Sequence, residues 1–106
     1  MREIEYLLYL SPEMEDRLRV SAQKNQGEIL EFVVQYEALF SSHWKPIVRY
    51  DTAHGFAHRD RMWPAGRMEK EPLSFDGYNL AFTHATLDLK AHWAGYRKAY
   101  EQEMKK

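Results

Sequence analysis

The sequence predicts an α+β fold: an antiparallel meander of four to five strands with one long C-terminal helix packed across one face. Two observations carry this. Apolar residues alternate with period two in a strand-rich part, residues 1–72, and the pattern then switches to a helical period over about residues 78–104. No Pro/Gly-rich or low-complexity tract separates the parts, and 106 residues suit a single domain spanning 1–106.

Ile4, Tyr6, Leu8 and Leu10 share one parity in a first short run. Leu18, Val20 and Ala22 then alternate with Arg17, Arg19, Ser21 and Gln23. Ser11-Pro12 also offers a helix start over residues 12–24, with Met14, Leu18 and Ala22 on one side. The Asn25-Gln26-Gly27 turn leading into an unambiguous strand favours the strand reading. That next strand places Leu30, Phe32, Val34, Tyr36, Ala38 and Phe40 on one face.

Ser41-Ser42-His43 reads as a connection, and Pro46 opens a strand over Ile47–Asp51. His54-Gly55 breaks that run, and Phe56–Trp63 alternates again up to the turn Pro64-Ala65-Gly66. Residues 67–72 return as a ragged, charged edge strand. In the last third, Phe82, Ala85, Leu89, Trp93, Tyr96 and Tyr100 recur three or four residues apart and form one stripe. Asp76 or Asn79 is placed to cap this helix. A 27-residue helix is about 40 Å long, more than a sheet of short strands covers. One end of the stripe is therefore expected to pack on a second copy in a homodimer.

The formal net charge is −1, which argues against a general nucleic-acid binder. The charge is uneven, however. Residues 1–40 hold four Lys/Arg against eight Asp/Glu, and residues 41–70 hold six against three, so a local anionic site is permitted. There is no cysteine, which excludes disulfides, thiol chemistry and Cys-ligated metals. No long apolar run suggests a membrane partner, and the N-terminus lacks the basic-then-apolar order of a signal peptide, so the expected compartment is cytoplasmic.

Chemistry concentrates in Arg49–Arg61. His54, His58 and Asp60 supply imidazole and carboxylate, and Arg49, Arg59 and Arg61 supply permanent positive charge. Strand alternation puts His58 and Asp60 on one face and Arg59 and Arg61 on the other. In one reading, His54 and His58 are a general acid/base pair on a phosphodiester, with Arg49 or Arg59 stabilising phosphate charge in metal-independent, ribonuclease-like chemistry. In a second, His54, His58 and Asp60 hold a divalent metal. In a third, the cluster is a surface for an acidic partner. Against all three stands a plain network in which Asp51 and Asp60 pair with Arg49, Arg59 or Arg61. Because His54, His58 and Asp60 show no common face, no metal and no other cofactor is expected. His84, Asp88 and His92 form a second set on one flank of the helix. Trp44, Trp63 and Trp93 read either as packing residues or as base-stacking platforms.

Arg49-Tyr50-Asp51-Thr52-Ala53-His54, followed by His58-Arg59-Asp60, resembles the signature region of TumE-like toxins, small partners in bacterial and archaeal toxin–antitoxin pairs. Those proteins carry an Arg-aromatic-Asp-Asn segment, then histidines, then a second His-rich strand. Here Thr52 stands in place of the Asn, His54 is single, and Arg59 and Asp60 replace part of the second His run. The resemblance implies a toxin-like protein acting on RNA or the translation apparatus, with an antitoxin protein as partner. It extends to Arg49, Asp51, His54 and His58. The expected site is then His54, His58, Arg49, Asp51 and Asp60 for chemistry, with Arg59, Arg61 and Trp63 for binding. The alternative is a non-catalytic homodimeric interaction protein.

Overall fold

A computed structural model describes residues 1–106. Six strands follow one another: β1 (Arg2–Tyr9), β2 (Asp16–Asn25), β3 (Glu28–Phe40), β4 (His43–Asp51), β5 (His58–Met62) and β6 (Met68–Pro72). They pair in chain order into one antiparallel meander, and a single helix, α1 (Tyr78–Met104), follows. The fold is the α+β arrangement expected, with the exposed β6 as a sixth strand. Residues 16–25 are strand, so no helix forms over 12–24.

Alternation sorts the sheet into two faces. Leu18 lies opposite Tyr36, Val20 opposite Val34, and Ala22 opposite Phe32. The same face continues through Val48 and Tyr50 on β4. Onto it α1 lays Ala81, Ala85, Leu89 and Tyr100, all buried. Enclosing side chains of Val or Leu size stabilises by about 1.5–3 kcal/mol each. β4 starts at His43, earlier than Pro46 suggests, because the ladder is interrupted there. Glu37 pairs with Pro46 and Tyr36 with Val48, leaving Ile47 as a bulge residue. Beside a bulge, the missing proline donor costs little.

The expected overhang of the helix is absent. β3 has 13 residues, about 43 Å at 3.3 Å per residue, and so matches the roughly 40 Å of α1. Phe40 at the far end of β3 stacks on Tyr100, with ring centroids 5.6 Å apart and 17° between planes. The aromatic stripe is thus covered within the chain, and the argument for a dimer through α1 falls with the overhang.

Polar contacts fix the helix at three heights. Near its start, Asn79 accepts from the Ile29 N–H at 2.8 Å and donates to the Gly27 carbonyl at 2.9 Å. Gly77 takes the N-cap position, so neither Asp76 nor Asn79 caps the helix. Midway, Asp88 accepts from the hydroxyls of Tyr50 and Tyr96, each at 2.7 Å. Towards the end, Arg97 donates to the buried Asp16 at 2.8 Å and to the carbonyls of Glu15 and Leu39 at 3.2 Å. Neither α1 nor any other helix is long and apolar enough to cross a membrane.

Candidate functional site

Register brings the site together. In the β4–β5 hairpin Arg49 faces Asp60 and Asp51 faces His58, while Tyr50 faces Arg59. Residues directly opposite on antiparallel strands share a face. Arg49, Asp51, His58 and Asp60 therefore all lie on the side of the sheet away from α1. Tyr50, Arg59 and Arg61 lie on the α1 side.

The hairpin closes through Thr52–Ala57. The Thr52 hydroxyl accepts the Phe32 N–H at 3.0 Å, extending the β3–β4 ladder by a side chain. Asp51 Oδ1 accepts the Ala53 N–H at 3.0 Å, which ties a short 3-10 turn (Ala53–Gly55) to the strand end. His54 and Gly55 both adopt left-handed backbone there, with φ of 70° and 85°. His54 is exposed at the tip.

His58 is the enclosed centre, 1% exposed, with Asp60 at 4% and Asp51 at 8%. Its Nδ1 lies 3.3 Å from the Phe56 carbonyl oxygen. Its Nε2 lies 2.8 Å from Asp51 Oδ1 and 3.6 Å from Asp60 Oδ2. The Phe56 ring covers it, with centroids 5.3 Å apart. Asp60 Oδ1 is buried and makes no hydrogen bond; Lys70 Nζ, 3.3 Å away, is within ion-pair range only.

The rest of this open face is a polar chain. Arg49 Nε donates to Gln35 at 2.7 Å, and Gln35 donates to Glu37 at 2.6 Å. Arg17 and Arg19 donate to the two oxygens of Glu37, at 2.7 and 3.1 Å. Burial alone would raise the Glu37 carboxyl, but hydrogen bonds from Arg17, Arg19 and Gln35 outweigh it and hold the group below its ordinary range. Beside Asp51 lies a concavity of about 290 Å³ whose walls include Glu3, Ser21, Gln23, Glu31 and Thr52, and no Lys or Arg. An anion would be repelled there.

The expected site residues separate into two groups. Arg49, Asp51, His58 and Asp60 come together on one face, while His54 is exposed on the connecting turn. Arg59, Arg61 and Trp63 do not join them. Arg59 donates to Tyr96 at 3.0 Å and Glu71 at 3.2 Å. Arg61 stacks over Trp63 at 4.5 Å and Tyr96 at 5.0 Å. Trp63 donates to Glu69 at 2.7 Å. The helix set also lies on the α1 side: His84 packs edge-on against Tyr50, and Asp88 holds Tyr50, Tyr96 and His92. Trp44 lies beneath Arg17, 3.8 Å from guanidinium carbon to ring centroid, and Trp93 packs edge-on to Tyr36. Lys70 was missed, although β6 parity would have placed it opposite Asp60. The metal grouping weighed as one reading of the sequence also changes: Asp51, not His54, joins His58 and Asp60, with ligand atoms within 4.8 Å of one another.

Over residues 1–106 the chain matches the family model described as a domain of unknown function (DUF7718). The chain belongs to the DUF7718 family. No curated protein and no solved structure matches it. Within this DUF7718 chain, the Arg49–Arg61 hairpin holds the one buried cluster of imidazole and carboxylate groups placed to share a ligand.

Proposed function

We propose that this DUF7718 protein is toxin-like and acts on RNA, with the β4–β5 hairpin as its working part. The observation that supports this reading is the convergence of Arg49, Asp51, His58 and Asp60 on the sheet face that α1 leaves open, inside the segment resembling TumE-like toxins. Arg49 supplies a guanidinium for phosphate oxygens, a role for which its planar fork is suited. His54, exposed at the hairpin tip, is the imidazole free to exchange a proton with a bound strand. Asp51 fixes the turn that carries His54 through its bond to Ala53. His58 is enclosed and acts through its carboxylate neighbours. An antitoxin protein covering this face would silence the activity. The test is growth after induced expression. Wild-type protein should arrest growth, and His54→Ala and Arg49→Ala should relieve the arrest at unchanged protein level and thermal midpoint. Unimpaired growth with soluble wild-type protein would sink the reading.

A second reading, a non-catalytic protein that pairs with its own copy, draws on the edge of the sheet. β1 is unpaired along one side and exposes Tyr6, Leu7 and Tyr9. Such an edge is a template for a further strand. A single 12.7 kDa species in sedimentation at micromolar concentration would exclude the homodimer.

A further inference from the structure

We propose that Asp51, His58 and Asp60 form a binding site for one divalent transition-metal ion of the zinc or manganese class. The proposal does not rest on the RNA reading, because it concerns the protein alone.

The argument starts at the imidazole. His58 Nδ1 faces the Phe56 carbonyl oxygen at 3.3 Å, which can accept its hydrogen in the tautomer that leaves Nε2 free for a metal. In the neutral ring the lone pair then sits on Nε2. That lone pair points at Asp51 Oδ1, 2.8 Å away, and Asp60 Oδ2, 3.6 Å away. Three electron-rich atoms facing one another in a buried space need a proton or a metal ion among them. A metal-bound histidine characteristically donates its other N–H to a carbonyl or carboxylate, and the Phe56 carbonyl is placed to accept from His58.

The dimensions fit. Ligand atoms about 2.0–2.2 Å from a metal in tetrahedral or octahedral geometry stand roughly 2.9–3.5 Å apart. The two Nε2–oxygen distances, 2.8 and 3.6 Å, bracket that range, and all three ligand atoms lie within 4.8 Å of one another, so closure of the two carboxylates by up to about 1 Å would complete the site. One imidazole with two carboxylates suits zinc, manganese or iron and leaves further positions for water. Asp60 is an independent sign. It is 96% buried, its Oδ2 is aimed at Nε2, and its Oδ1 makes no hydrogen bond. Arginine repulsion is limited here, because Arg59 and Arg61 are on the other face and only Arg49, opposite Asp60, shares this one. Lys70 is the one cation within ion-pair range of the carboxylates, and its side chain is 40% exposed and free to swing into water.

The rival arrangement is a doubly protonated His58 held between the carboxylates, which needs no metal. Titration of chelator-treated full-length protein with Zn²⁺ and with Mn²⁺ separates the two. One equivalent should bind and raise the thermal midpoint. Asp60→Asn and His58→Gln should each weaken binding by about 100-fold, the upper end of what even outer partners of a metal site contribute. Should either variant fail to fold, Lys70→Met removes only a competing surface cation and should tighten binding severalfold. Absence of saturable binding to folded wild-type protein would overturn the proposal, as would affinity unmoved by Asp60→Asn and Lys70→Met alike. Protein that arrests growth yet binds no metal would sink this proposal and leave the RNA reading standing.

Discussion

Arg97→Met is the substitution whose cost can be worked most fully from contacts. Asp16 is 3% exposed, and its Oδ1 accepts from Arg97 at 2.8 Å and from the Tyr36 hydroxyl at 2.5 Å. Methionine keeps the apolar stem against Phe40, where the guanidinium carbon now sits 4.6 Å from the ring centroid. It removes the positive charge and the donors to the Glu15 and Leu39 carbonyls. Stripping one partner from a buried ion pair costs about 3–5 kcal/mol. Tyr36 still donates to Asp16 and Arg97 is itself partly exposed, so the lower end, about 3 kcal/mol, applies. In a domain of this size that is roughly a 12–24 °C fall in Tm. Urea unfolding followed by tryptophan fluorescence measures it, since Trp93 packs against Tyr36. Adding Asp16→Asn should recover part of the loss, because the naked charge disappears. A loss below about 1 kcal/mol for Arg97→Met, or no recovery in the double variant, would refute a charge-bearing tie between α1 and β2.

Three further outcomes follow from the same contacts. Burial pushes the Asp88 carboxyl up, but hydrogen bonds from Tyr96, Tyr50 and His92 outweigh this and lower it below the ordinary 3.8. Its contribution is thus full above about pH 4 and lost as pH falls through the folded value; Asp88→Asn should flatten the acid limb of a urea-midpoint-against-pH curve, and an unchanged limb would contradict the assignment. Ser41 and Ser42 form the β3–β4 turn with φ of 49° and 66°, so Ser42→Gly should stabilise by about 1 kcal/mol in denaturant titration. Leu89→Ala, at a fully buried position, should cost about 2–5 kcal/mol in the same assay, and a loss under 1 would mean that α1 is not firmly docked.

Much of this architecture is legible along the chain, because strand parity is a local property. The alternation of Leu30–Phe40 placed β3, and that of His58–Arg61 correctly parted His58 and Asp60 from Arg59 and Arg61. The period change after residue 78 located α1. What stayed hidden depends on register and length. Asp51 joins His58 only because the hairpin aligns Asp51 with His58 rather than one residue away. The overhang argued for a dimer through α1 is absent because β3 runs to 13 residues and carries Phe40 to Tyr100. The Asp16–Arg97 and Tyr50–Asp88 ties join residues 81 and 38 positions apart, a separation at which no local pattern reports a partner. Asn79 is a suitable capping residue by type, but the β2–β3 turn supplies it with a donor and an acceptor that sequence does not show.

The central claim is that the open sheet face, not the α1 side, meets RNA, and paired arginine substitutions on the two faces test it most directly. Purified wild-type protein, Arg49→Gln and Arg61→Gln would be compared for cleavage and binding of total cellular RNA, with thermal midpoints recorded for all three. The account predicts that Arg49→Gln loses about tenfold or more, the worth of one charged phosphate contact, while Arg61→Gln stays near wild type. Equal activity in the Arg49 variant, or a loss confined to Arg61→Gln, would contradict it.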